Sequence, residues 1–400
     1  MMNEATIQFV QEHRNDDVRT LALQSMRNKS IDMPWALDQI RGWQTACKKL
    51  PSWAATQGLI YPPHLSMEQC SSEKTAMYKC EIVERLPESS RELLVDLTGG
   101  FGVDFSFMAR HFKRAIYVER QEGLCDVARH NFAILGLDHA SILRADAISE
   151  INDPKLVAAS QESTWFYLDP ARRNESMART YAITDCSPNV LDMLPQLFKL
   201  GHHVLLKLSP MLDWHKAVSD LGVQVSDVHI LSVGGECKEL LILMSVTHDG
   251  EPTIHCVNDN KTLVFNPSQD TQPPVQAAVE PPLYLYEPNA SIMKAGCFGV
   301  LCQQYPVKAI AVDSHLFASN VAINDFPGRG FAIKAVTTMN KKELRHTLSG
   351  ISQANVAVRN FPLSAQQLRS RLGLKDGGDI YIFGSTDSSG RHLLYIGTRA

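Results

Sequence analysis

Four residue clusters in the middle of the chain have types and spacings that can do chemistry. The first is Asp96-Leu97-Thr98-Gly99-Gly100-Phe101-Gly102, which follows an apolar run. A glycine-rich turn between a strand and a helix lets backbone N–H groups approach a bound nucleoside closely. A dinucleotide fingerprint needs G-x-G-x-x-G. Counted from Gly100 and Gly102, its last position is Phe105, too bulky for close helix–strand packing. No Gly-Lys-Ser/Thr follows, so a Walker A phosphate loop is excluded. The second cluster is Glu119-Arg120, at the end of AIYVE and 23 residues beyond Asp96. A carboxylate there can accept both hydroxyls of a ribose. The third is Asp146-Ala147 after SILRA, where a carboxylate suits an adenine amino group. The fourth is Asp169-Pro170-Ala171-Arg172-Arg173 after TWFYL. An arginine there can stack on a base or hold a phosphate. Lys207, in KLSP, is a further candidate for phosphate or substrate.

These clusters need a scaffold that puts strand ends side by side. ELLVDL, AIYVE, SILRAD, TWFYLD, HHVLLKLS, VSDVHILSV and KELLILMSV are seven short apolar runs, and helical patterns separate the first five. Alternating strands and helices predict a parallel sheet covered on both faces. The last two runs are joined only by Gly234-Gly235-Glu236-Cys237, too short for a parallel crossover, so they predict an antiparallel hairpin. In such a sheet ligands bind at the carboxyl ends of the strands, where all four clusters fall. Before the sheet, residues 1–87 read as a helical region, with Asp32 before Pro34 as a helix start and Trp35, Trp43 and Trp53 as packing anchors. The sheet domain is expected over 88–249. A hairpin and a Pro/Gln-rich linker are expected over 250–282, and an α+β region over 283–400. Ser364 and Gln367 form a capping-box pattern.

Five parallel units closed by a hairpin resemble the class I methyltransferases. The D-x-T-x-G-x-G loop is similar to their adenosylmethionine loop, with Thr98 in place of the first glycine, and to that of small-subunit rRNA guanine-N2 methyltransferases. Asp169-Pro170-Ala171-Arg172 resembles the [D/N]-P-P-[Y/F/W] motif of amino-methyltransferases, but Ala171 replaces the second proline and Arg172 the aromatic. More of the chain follows one pattern: YPPHLSMEQCSSEKTAMYK, DLTGGFGVD, YLDPARR, LLKLSPMLD, LYEPNASIMKAG and FPLSAQQLRSRLGLKDGGD. On these segments it resembles a group of bacterial class I methyltransferases with a C-terminal THUMP-like domain. The resemblance implies a Rossmann-like seven-stranded sheet and adenosylmethionine as cofactor. It implies methyl transfer to a nucleobase exocyclic amine in rRNA or tRNA. Asp96, Thr98, Gly99, Gly100, Phe101, Gly102, Glu119, Arg120, Asp146 and Ala147 would hold the cofactor. Thr75 and Lys79, one helical turn apart before the first strand, would reach its methionine end. Asp169, Pro170 and Arg172 would act on the acceptor. An exocyclic amine is a poor nucleophile because its lone pair is conjugated. Accepting its two hydrogens at the Asp169 carboxylate and the Pro170 carbonyl would localise that pair and aim it at the methyl.

Composition sets the bounds. The chain has 400 residues, 44% of them hydrophobic and 20% charged, which excludes a disordered chain and a long coiled coil. No apolar run approaches the ~20 residues of a membrane span, and no signal-peptide core opens the sequence. Nine cysteines without a CxxC pair read as free thiols in a reducing cytoplasm. Fourteen histidines show no metal-ligand spacing, so no metal is expected. Net charge is −4, yet residues 331–400 hold ten Lys/Arg against four Asp/Glu, a surface suited to a phosphate backbone. Two other functions fit the same residues: methylation of a protein or small-molecule amine, and a non-catalytic RNA-binding or assembly factor that keeps the cofactor fold.

Overall fold

The computed structural model describes residues 3–24, 30–147, 163–172, 183–276 and 281–400. The helical pattern expected over residues 148–160 and Arg173 lie outside these. The chain divides into two compact units: Met1–Ser226 with Glu239–Gly250, and Asp227–Lys238 with Glu251–Ala400.

The first unit opens with helices α1 (Glu4–His13), α2 (Val18–Gln24), α3 (Met33–Lys49), α4 (Pro51–Ala55), α5 (His64–Gln69) and α6 (Glu73–Glu84). Their starts follow side-chain chemistry. Asp32 accepts a hydrogen bond from Trp35 N at the start of α3, and Ser72 accepts one from Thr75 N at the start of α6. Trp53, Tyr61 and Met67 gather into a core that also takes in Phe101 and Val103. The sheet follows. Strands β1 (Leu93–Asp96), β2 (Arg114–Glu119), β3 (Ala140–Arg144) and β4 (Thr164–Leu168) pair in parallel. Short strands β5 (Ala171–Arg172) and β6 (Cys186–Ser187) form a separate antiparallel pair. β7 (His203–Leu208) pairs in parallel with β4. β9 (Glu236–Ser245) completes the set, antiparallel to β7, while most of β8 (Val225–Val233) belongs to the second unit. Within the first unit the strand order is β3-β2-β1-β4-β7-β9, part of a sheet of nine strands where seven were expected. Helices α7 (Val103–Met108), α8 (Glu122–Ile134), α9 (Val190–Leu200) and α10 (Trp214–Leu221) lie between the strands in sequence. β1, β4 and β7 are buried at every position, as strands covered on both faces must be. All seven expected runs are strands, and the fold is the α/β methyltransferase-like one.

In the second unit β10 (Thr253–Asn258) and β11 (Lys261–Phe265) form a hairpin, and β10 runs parallel to β8. A seven-stranded mixed sheet follows. Its members are β12 (Tyr284–Pro288), β13 (Lys308–Ala309), β14 (Phe317–Ser319), β15 (Gly328–Thr338), β16 (Asn355–Arg359), β17 (Ile380–Thr386) and β18 (His392–Arg399), in the order β13-β14-β12-β15-β18-β17-β16. Its helices are α11 (Ala290–Ala295), α12 (Phe298–Gln304), α13 (Lys341–Thr347) and α14 (Ala365–Leu372). The Ser364/Gln367 capping box is present. The LYEPN segment also acquires a physical role. Glu287 is buried in β12 and binds Arg329 of β15 and Arg359 of β16, while Asn289 caps α11.

Candidate active site

β1 ends at Asp96, and the loop that follows is built by backbone geometry. Gly100 and Gly102 have φ of +56° and +80°, which L side chains rarely adopt. A Cβ on Gly102 would also strike the Phe132 ring at 2.8 Å, and one on Gly99 the Tyr117 ring at 2.2 Å. At Gly100 the nearest atom to an added Cβ is Thr98 O at 3.7 Å, so this face of the loop is open. Glu119, at the end of β2, fixes the loop: Gly100 N donates to its Oε2 at 2.9 Å and Gln121 N to its Oε1 at 2.8 Å. Tyr117 donates its hydroxyl to Gly100 O.

Strand order lines up the carboxylates. Asp146 follows β3, Glu119 ends β2, Asp96 ends β1 and Asp169 follows β4, on four neighbouring strands. Asp96 is buried, accepts from Thr98 N at 2.9 Å and is pushed well above the usual carboxylate range by desolvation. Asp146 and Arg120 are exposed, and Ala147 is buried. Phe101 turns its ring away from the loop, edge-on to Trp53 at 5.0 Å within the helical core.

The D-P-A-R segment is tied to this loop. Asp169 N donates to Thr98 Oγ1 at 2.6 Å. The hydroxyl that departs from the glycine pattern therefore latches the β4 loop to the β1 loop. Pro170 is buried, and Ala171 and Arg172 form β5. Lys207 Nζ, on β7, lies 2.6 Å from Asp169 Oδ2. Desolvation raises the Asp169 carboxyl, and Lys207 opposes that rise.

Behind Asp169 lies a buried charge network that sequence reasoning did not assemble. Lys79 is fully buried and pairs with Glu239 at 2.6 Å and Asp104 at 3.0 Å. Ser71 Oγ accepts from both Lys79 and Lys207 at 3.1 Å. Tyr167 donates to Asp104 at 2.7 Å. Burial acts to raise the Asp104 carboxyl, but Lys79 and Lys207 overcome it and hold the group well below its ordinary value. Lys207 is held well above its own: desolvation is outweighed by Asp169, Asp104 and Glu239. Lys79 and Thr75 thus face this network and the start of α6, where the Thr75 hydroxyl donates to Ser72 O. Ser71, Asp104, Tyr167 and Glu239 all stood inside segments already singled out, but no spacing in the sequence connects them into one network.

The chain resembles a protein from Porphyromonas gingivalis W83 whose description as a methyltransferase is provisional. That match has 28% identity and a TM-score of 0.84, and covers 99% of this chain and 98% of that one. Residues 284–327 match a ferredoxin-like domain and residues 328–399 a THUMP domain-like family. The chain has the domain plan of a methyltransferase family with ferredoxin-like and THUMP-like C-terminal domains. More distant matches include an rRNA methylase from Streptococcus thermophilus (13% identity, TM-score 0.29, 43% of this chain and 93% of that one). Another is a provisionally described methyltransferase from Streptococcus mutans in complex with SAH (11%, 0.31, 42% and 96%). Similarity at that level carries no weight for the site. No curated protein matches the chain.

Proposed function

We propose that the chain transfers the methyl group of adenosylmethionine to an exocyclic amine of a nucleobase in rRNA or tRNA. The observation that carries this reading is the Thr98–Asp169 latch, which joins a nucleoside-type loop to a carboxylate suited to an amine. The residues present fit the cofactor. The loop is open at Gly100, and each Glu119 oxygen, holding one backbone N–H, keeps a lone pair for a ribose hydroxyl. Asp146 beyond it suits the adenine amino group, and Asp96 and Thr98 lie toward the methionine end. When bound, the cofactor supplies an electrophilic methyl on a sulfonium.

The rest is done by the chain. Asp169 Oδ accepts a hydrogen from the amine, Pro170 O accepts the other, and the nitrogen lone pair is freed and directed. Lys207 and Thr98 hold Asp169 from two sides. Lys79 acts one layer back by fixing Asp104 and Glu239, a positioning role in place of direct contact. The basic 331–400 surface draws the RNA backbone.

The test is transfer of labelled methyl from adenosylmethionine to total RNA of a strain lacking this protein. Label in one RNA species, abolished by Asp169→Ala, is the expected result. Label on a protein or small-molecule fraction would replace the RNA half of the reading. No label in any fraction, with the cofactor bound, would favour a non-catalytic assembly factor.

A further inference from the structure

The second unit contains a side-chain cluster that the proposed reaction does not use. β8 and β10 run parallel with Asp227 opposite Thr253 and His229 opposite His255. Residues two apart on a strand share a face, and so do register partners on paired strands. Asp227, His229 and His255 therefore stand on one side of the ladder. Their ligand atoms all lie within 4.8 Å of one another. Asp227 Oδ1 is 2.9 Å from His255 Nε2. The His229 and His255 rings stack with centroids 4.2 Å apart and planes 17° apart. Both histidines are buried, whereas the Asp227 side chain is 27% exposed and leaves a way in.

Two neutral imidazoles and one carboxylate make a donor set of charge −1. Zinc bonds of about 2.0–2.2 Å at tetrahedral angles put adjacent ligand atoms about 3.3–3.6 Å apart, so the 2.9 Å Asp227–His255 contact would open by about half an ångström and the widest pair, within 4.8 Å, would close. Imidazole donors favour first-row transition ions, whereas magnesium and calcium take oxygen ligands. We propose that Asp227, His229 and His255 form a site for a divalent transition-metal ion, with zinc as the reference. Three protein ligands leave a fourth tetrahedral position to water or an external donor. The ion would join β8 to β10, and because a preformed site rarely exists in the unfolded chain, its binding would stabilise this unit. The sequence expectation of no metal missed this set because its members come from two strands, Asp227-x-His229 and His255, brought together only by the parallel register.

The test uses the full-length chain, stripped of metal and kept reduced, titrated with Co2+ and then Zn2+. One equivalent of Co2+ with a visible ligand-field spectrum and no thiolate charge-transfer band is expected. Zn2+ should displace it and raise Tm. The nine cysteines offer sulfur as the competing donor, and a charge-transfer band would reveal it. Asp227→Asn, on the open side and nearly isosteric, and His255→Gln should each weaken Co2+ binding by about tenfold or more with unchanged circular dichroism. Absence of Co2+ binding, a thiolate spectrum, or variants that bind as tightly as the parent would each overturn the site.

Discussion

Thr98 and Lys207 carry the sharpest consequences, because each holds Asp169 without being the group that accepts the amine. Thr98→Val removes the hydroxyl that receives Asp169 N and nearly keeps the volume. A displacement of about 1 Å at a reacting group can cost a hundredfold. Methyl transfer should therefore fall about ten- to a hundredfold in Thr98→Val and recover in Thr98→Ser. Equal losses in Val and Ser would contradict the latch. Lys207→Met predicts a change in pH dependence. The Asp169 carboxyl is raised by desolvation and pulled back by Lys207, and it accepts the amine only when ionised. Loss of the ammonium leaves the upward push unopposed, so the acidic limb of the rate profile should move to higher pH. A limb that stays in place, or moves down, would exclude Lys207 from this role.

At the scale of elements, the parallel strands were legible because each is a short apolar run bounded by polar or turn residues, and all but β7 end on or near a carboxylate, as in AIYVE and TWFYLD. The glycine loop was legible for the same reason: its strain is local, and only glycine relieves it. The ring of Phe101 was not legible. Its neighbours in sequence are loop residues, but its partners Trp53 and Tyr61 come from the helical region. Helices α11 and α12 also escaped, being short pieces, and strand β18 escaped because its buried run Leu394–Gly397 shows no alternating period. Gly102→Ala should destabilise the first unit by about 1–3 kcal/mol, since it meets both a positive φ and the Phe132 ring. Chemical denaturation measures this, and a neutral effect would mean that the loop and Phe132 yield freely. In the second unit, Glu287→Gln should cost about 2 kcal/mol, the order expected for charged hydrogen bonds, discounted because Arg329 and Arg359 are half-exposed and regain water.

At the scale of the whole molecule, charge is distributed in two ways. The interior of the first unit holds two lysines against Asp104, Glu239 and Asp169. None was visible as a network in the sequence, since Ser71, Asp104, Lys207 and Glu239 lie far apart along the chain. Asp104→Asn leaves Lys79 with Glu239 and Lys207 with Asp169, so the loss falls on the charged hydrogen bonds from Tyr167 and Ser71 and should cost about 1–3 kcal/mol in urea titration. The outside of the second unit carries Lys334, Lys341, Lys342 and Arg345, all exposed. If RNA is the substrate, Ala at the last three should weaken binding and flatten its salt dependence by about 0.7–0.9 in log–log slope per lost phosphate contact.

The row Asp146, Glu119, Asp96 and Asp169 with its glycine loop is the proposed adenosylmethionine site, and the reaction depends on it. Calorimetric titration of the full-length chain with adenosylmethionine tests it most directly. One binding site per chain is expected, weakened about tenfold or more by Glu119→Ala, since hydrogen bonds to a charged acceptor contribute about 1.5–3 kcal/mol. No binding by the folded protein, or binding that Glu119→Ala leaves unchanged, would contradict it.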